Sequence, residues 1–131
     1  MTAVVDSSAV VAALVDDGPH GEWARGQLAR TSLAAPAHMF VEVSNVLRRA
    51  VLSGAVGRDV AALAHDDLFQ LSVMVFPFEP LASRVWELHP SITAYDAGYV
   101  ALAEALAVPF VTLDRGLARA NGPTCDFVLP S

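Results

Sequence analysis

Asp6, Glu42, Asp96 and Asp114 are carboxylates set in an otherwise apolar chain. Asp6 ends the run Ala3-Val4-Val5, and Asp114 follows Phe110-Val111-Thr112-Leu113. Both read as the ends of buried strands. Glu42 and Asp96 fall in the opening turns of two predicted helices. If the two strands are neighbours in one parallel sheet, both strand-end acids emerge on the same rim. Like charges gathered there repel and are costly to desolvate. The usual remedy is a divalent cation, and oxygen-only ligands select Mg²⁺ or Mn²⁺. Metal-assisted phosphoryl chemistry is therefore the first function these residues suggest.

The elements that must position them alternate along the chain. Thr2–Val5 reads as a strand and Ser7–Val15 as a helix, closed by Asp16-Asp17-Gly18-Pro19. Pro19–Arg30 is an amphipathic helix with proline in its first turn. Ser32–Ala35 is a short strand, and Ala37–Leu52 the longest helical run, stopped at Gly54. Gly57–Leu71 is a helix with Val60, Leu63, Ala64, Leu68 and Leu71 on its apolar side. Val73–Phe78 is a strand, Leu81–Leu88 a short helix, and Thr93–Ala107 the clearest helix. Pro109–Leu113 is a strand, Arg115–Ala120 a last helix, and Asp126–Leu129 an edge strand. Strands separated by helices imply an α/β fold: a three-layer α/β/α sandwich around a mainly parallel sheet of four to five strands. Such sheets bind ligands beyond the carboxyl ends of their strands, where strand order reverses.

At 131 residues, the expectation is one domain spanning 1–131. Hydrophobic residues make up 54% and charged residues 17%, enough apolar material for a core without covalent staples. The single Cys125 excludes a disulfide framework and a cysteine-rich zinc site. No basic stretch leads into a long apolar run, so a cytoplasmic, membrane-free protein is expected. The net charge of −6 argues against holding nucleic acid by bulk electrostatics. All eight basic residues are arginine, which suits forked contacts with phosphate. Few phosphate contacts imply a modest salt dependence.

Each carboxylate also has a structural use. Asp6 and Asp114 are placed to cap the helices that follow them. Thr93-Ala94-Tyr95-Asp96 resembles a capping box. Glu42 shares a polar stripe with His38, Asn45 and Arg49, which on most helices is a solvated face. Taken singly, these readings suffice. The joint pattern favours a site: the acids fall at element ends that one topology brings together, with Ser7, Ser8, Asn45 and Thr112 nearby to hydrogen-bond them. His20, His38, His65 and His89 have no zinc-ligand spacing and read as solvated. Trp23 and Trp86 read as core. The absence of lysine excludes a Walker A loop.

Val4-Val5-Asp6-Ser7-Ser8, Val41-Glu42-Val43-Ser44-Asn45, Tyr95-Asp96-Ala97-Gly98-Tyr99-Val100-Ala101-Leu102-Ala103-Glu104 and Val111-Thr112-Leu113-Asp114-Arg115 follow one another in an order and spacing that cover nearly the whole chain. In these segments the chain resembles a PIN-domain ribonuclease, and more narrowly the VapC toxins of toxin–antitoxin pairs. The resemblance implies an acidic cluster of Asp6, Glu42, Asp96 and Asp114, and Mg²⁺- or Mn²⁺-dependent cleavage of single-stranded or loop RNA. It also implies a small VapB-like antitoxin whose tail fills the acidic groove, and a homodimer.

On this reading water hydrolyses a phosphodiester. Asp6 and Asp114 hold the metal, Asp96 and Glu42 complete the site, and Ser8 and Thr112 orient carboxylates. Arg48, Arg49 and Arg115 are candidates to meet the RNA backbone. Haloacid-dehalogenase-like phosphatases are disfavoured, because they place an aspartate where Ser8 stands and need a lysine. The remaining alternative is a catalytically inactive PIN scaffold that binds RNA or protein.

Overall fold

The computed structural model describes residues 1–131. Five strands form one all-parallel sheet: β1 (Thr2–Val5), β2 (Ser32–Pro36), β3 (Val73–Phe76), β4 (Phe110–Val111) and β5 (Phe127–Val128), in the order β3-β2-β1-β4-β5. The helices are α1 (Ser7–Val15), α2 (Pro19–Arg30), α3 (Met39–Leu52), α4 (Arg58–Leu68), α5 (Ala82–Glu87), α6 (Ala94–Leu106) and α7 (Arg115–Ala118), with a 3-10 turn at Glu79–Leu81.

Chain direction across the sheet explains the layers. From β1 through β2 to β3 the chain moves one way, then returns past its start to β4 and β5. Right-handed crossovers travelling in opposite directions place their helices on opposite faces. Accordingly α1 packs against α2, α3 and α4, whereas α6 lies against β1, β2 and β4, with α5 against α6. The reversal falls between β1 and β4, where Val5 pairs with Val111. The crevice for a ligand therefore opens beside Asp6 and Thr112, the next residue of each strand.

Local chemistry sets the element ends. Asp6 accepts from the Ala9 amide and caps α1. Pro19 opens α2, where a missing N–H costs nothing. Pro77 cannot donate to a ladder, and β3 stops at Phe76 rather than running to Phe78. From Ala97 to Ala103 every residue of α6 is buried, as expected of a helix enclosed on all sides. Tyr99 stacks on Phe110 in the core and the partly buried Phe127 tilts against Phe110, with centroids 5.8 and 5.4 Å apart.

Two expectations about the core need correction. In α4 the buried residues are Ala61, Ala64 and Leu68, while Val60 and Leu63 are 54% and 65% exposed. This helix carries apolar residues on two faces. The alanine face is the one that packs inward, because short side chains allow close approach to α1 and α3. Trp86 is not core either, being 70% exposed. Leu81, Val85 and Leu88 form the buried stripe, and Trp86, one position past Val85, is rotated off it.

Candidate active site

Asp6 is the anchor. It is buried at the end of β1, and both of its carboxylate oxygens are held. Ser8 Oγ donates to Oδ1 at 2.6 Å, as does the Ala9 N–H at 3.1 Å, and Thr112 Oγ1 donates to Oδ2 at 2.6 Å. The two hydroxyls are themselves committed. Ser8 Oγ accepts from the Leu113 N–H at 3.1 Å, and Thr112 Oγ1 from the Asp114 N–H at 3.0 Å. Their protons are thereby directed at Asp6, and the ends of β1 and β4 are laced together. Asp114 Oδ1 accepts from the Leu117 N–H at 3.0 Å, so it caps α7 as Asp6 caps α1. The capping role holds for both acids and does not compete with a site, because each carboxylate retains free lone pairs.

Asp96 lies in the first turn of α6, and its N–H donates to Thr93 Oγ1 at 3.2 Å. Burial raises its pKa, and the neighbouring charges of Asp114 and Glu42 raise it further, against smaller opposing effects of Thr93 and His38. Burial also lifts the Asp6 carboxyl to about 6, despite its hydrogen bonds, with Asp96 adding to the rise. Asp96 thus feels the charges of Asp114 and Glu42, and Asp6 feels that of Asp96. As the side chains stand, no three of them meet at one ligating point. Mutual repulsion favours such a spread.

The donor set nevertheless fits a hard divalent cation. Every ligand would be a carboxylate oxygen, and no arginine lines the cavity that holds Asp96 and Asp114. Cys125 takes no part: burial pushes its thiol up to about 11, as for an inert half-buried sulfur.

Glu42 is fixed by a partner that sequence inspection missed. Tyr99 Oη donates to Glu42 Oε1 at 2.5 Å. Burial, followed by this bond, raises the phenol far above its usual pKa, so it stays a donor. Tyr99 lies three positions after Asp96 on α6, a helical spacing that signals a shared face. His38 corrects an expectation: it is half-buried rather than solvated. Its Nε2 donates to the Tyr95 carbonyl at 3.0 Å and lies 3.8 Å from Glu42 Oε1. Gly98 makes room for it, since a Cβ there would stand 2.6 Å from His38 Cε1. His65 is also half-buried, with Nε2 2.9 Å from Ser44 Oγ.

The arginine candidates separate. Arg49 lines a cleft with Ser7, His38, Glu42, Asn45 and Tyr95. Arg48 faces a different hollow, between α3 and α4. Arg115 donates to the Pro130 carbonyl. Asn45 lines the cleft but makes no hydrogen bond to an acid. A second cavity, of about 550 Å³, holds Asp96 and Asp114 together with His89, Ser91 and Thr93.

A pH dependence follows from Asp6. Its pKa of about 6 in the fold exceeds the 3.8 of the unfolded chain, so between those values the native state binds more protons. Stability therefore falls as pH rises from about 4 to about 6 and levels off above, by up to about 3 kcal/mol. Asp96 shifts in the same direction. In chelator the melting temperature should be higher at pH 5 than at pH 7.5. Asp6→Asn should flatten the profile, which thermal melts will read.

Residues 3–123 match the PIN domain family. The chain belongs to that family. This PIN domain is 42% identical over 127 residues to Ribonuclease VapC1 of Mycobacterium tuberculosis, covering 96% of each chain. Among solved structures it is similar to M. tuberculosis VapC20, titled a sarcin-ricin loop cleaving toxin. That match has a TM-score of 0.70 at 17% identity, covering 90% of this chain and 93% of the other. It is also similar to VapBC-5 of M. tuberculosis, titled a member of the VapBC family of toxin–antitoxin systems. There the TM-score is 0.59 at 18% identity, covering 98% of each chain. At these identities the structures speak for the fold alone. The VapC1 match places this PIN domain among the VapC ribonucleases.

Proposed function

We propose that the protein is a metal-dependent endoribonuclease toxin, neutralised by a small cognate antitoxin. The observation that carries this reading is that Asp6 and Asp114 follow neighbouring strands at the reversal point of the sheet, with Asp96 within reach of the charges of Asp114 and Glu42. Relatedness to the VapC ribonucleases supports RNA as the substrate.

Asp6, Asp96 and Asp114, with Glu42, would hold Mg²⁺ or Mn²⁺. When bound, such an ion lowers the pKa of water and offsets charge on the phosphoryl group in the transition state. The chain supplies the rest. Ser8 and Thr112 fix both oxygens of Asp6. Tyr99 holds Glu42 against rotation. Arg49 lines the cleft of Glu42, which supports assigning it to an RNA phosphate. Water attacks phosphorus, a new P–O bond forms and the bond to the 3′-oxygen breaks. The water loses one proton and the departing 3′-oxygen gains one, leaving a 5′-phosphate and a 3′-hydroxyl.

The antitoxin reading rests on the cleft of Glu42, where Val41, 71% exposed, and Val46 offer an apolar wall beside the acid. An extended tail bearing a cation would match both. A homodimer and a cytoplasmic location remain part of the proposal; no helix is long and apolar enough to cross a membrane.

The test is RNA cleavage with Mg²⁺ and then with EDTA. Cleavage that EDTA abolishes supports the enzyme, and binding without cleavage supports an inactive scaffold. Millimolar Mg²⁺ should also raise the melting temperature, since a ligand of the native state at 100 times its dissociation constant adds about 2.7 kcal/mol. No shift in an active preparation would contradict the acidic site.

A further inference from the structure

We propose that Trp86, with its indole stacked on His89 beside the cavity of Asp96 and Asp114, is the platform on which a base of single-stranded RNA stacks next to the phosphate to be cut. The proposal rests on the ribonuclease reading and adds where the substrate is held. Trp86 turns off the buried stripe of α5 and stays 70% exposed. Its ring lies over His89, with centroids 4.2 Å apart and planes 17° from parallel. His89 Nδ1 hydrogen-bonds the Trp86 carbonyl, so the imidazole is held in place. His89 in turn lines the cavity of about 550 Å³ that contains Asp96 and Asp114. A flat aromatic pair thus adjoins the carboxylates proposed to act on phosphate.

Charge explains why stacking matters here. The chain carries a net charge of −6 and no lysine. Several arginines are already engaged: Arg25 with the Ala13 and Asp16 carbonyls, Arg84 with Glu104 and the Gly122 carbonyl, Arg115 with Pro130. No arginine lines the cavity of Asp96 and Asp114. Neutralising phosphates cannot supply much affinity at this place, whereas base–aromatic stacking needs no charge and works on any unpaired base. A duplex covers its base faces, so the platform selects single strands and loops.

The chain carrying Asp96→Asn, which should bind without cutting, is titrated with a mixed-sequence single-stranded RNA oligonucleotide. Indole emission and the dissociation constant are read together. RNA should quench part of the emission. In Trp86→Phe the quench should vanish while affinity holds within about threefold, because a stacking ring remains. Trp86→Ala should weaken binding about five- to hundredfold with an unchanged salt slope, since no phosphate contact is lost. Unchanged affinity in Trp86→Ala, or a quench that persists in Trp86→Phe, overturns the platform. Loss of a dimer in Trp86→Ala with RNA affinity intact assigns the ring to a second copy and also overturns it. Wild type that fails to cut RNA removes the ribonuclease reading and the platform with it. Wild type that cuts, beside a Trp86→Ala chain that cuts and binds equally well, removes the platform alone.

Discussion

Asp96→Asn is expected to lower the rate of RNA cleavage at least about a thousandfold, or about 4 kcal/mol of barrier, while the protein still folds. The side chain keeps its size, and the Asp96 N–H keeps its bond to Thr93. What disappears is one negative charge facing Asp114 and Glu42. The raised pKa of Asp96 means that the fold disfavours its ionised form. An acid in the first turn of a helix normally gains from the helix dipole, by about 0.3–1 kcal/mol. Burial and the neighbouring acids outweigh that gain here. In chelator at pH 7.5 the variant should melt at or above the wild-type temperature. Gel assays of RNA cleavage and thermal melts in EDTA check both halves. A variant that melts well below wild type would mean that the acids do not repel one another as described.

Thr112→Val is expected to reduce both stability and activity, and its pH dependence should identify the cause. Thr112 is fully buried. Its hydroxyl donates to Asp6 Oδ2 and accepts from the Asp114 N–H. Valine has nearly the same shape, so the change removes those bonds without opening a large void. Leaving a buried carboxylate short of a donor costs about 1.5–3 kcal/mol. Losing the group that orients a ligating acid commonly lowers metal affinity or activity about 10–100-fold. The stability deficit should be larger at pH 7.5 than at pH 5, because Asp6 is ionised only above its pKa of about 6. Thr112→Ser keeps the hydroxyl and should recover most of both properties. Melts at the two pH values, with RNA cleavage rates, test this. A deficit independent of pH would point to lost packing instead.

Much of the fold was legible because strong local signals agreed. Apolar runs ended by Asp6 and Asp114, separated by helical stretches with Gly and Pro at their ends, left few topologies open. The placing of Asp6 and Asp114 beyond adjacent strand ends followed once β1 and β4 were neighbours. Periodicity failed where it offered two answers. In α4 the Val60–Leu63 face and the Ala61–Ala64 face are both apolar, and only the neighbouring helices decide between them. Trp86 misled because a bulky apolar residue in an amphipathic stretch suggests core, although its angular position does not. Tyr99 and Glu42 are 57 positions apart, and His38 and the Tyr95 carbonyl likewise. No local pattern announces such partners. The destinations of Arg48 and Arg115 were equally hidden, since a long flexible side chain is placed by whatever carbonyl or carboxylate lies within reach.

The bond from Thr112 to Asp6 spans 106 positions of sequence. Strand β1 is made first and sits in the middle of the sheet, yet Oδ2 of Asp6 has no donor until β4 slides in alongside, because Ser8 and Ala9 both hold Oδ1. During translation, then, Asp6 leaves the ribosome long before Thr112 and Asp114 clear the exit tunnel. A chain cut short before β4 lacks both Asp114 and the hydroxyl that holds Oδ2 of Asp6, so it should neither complete the acidic set nor orient its first member.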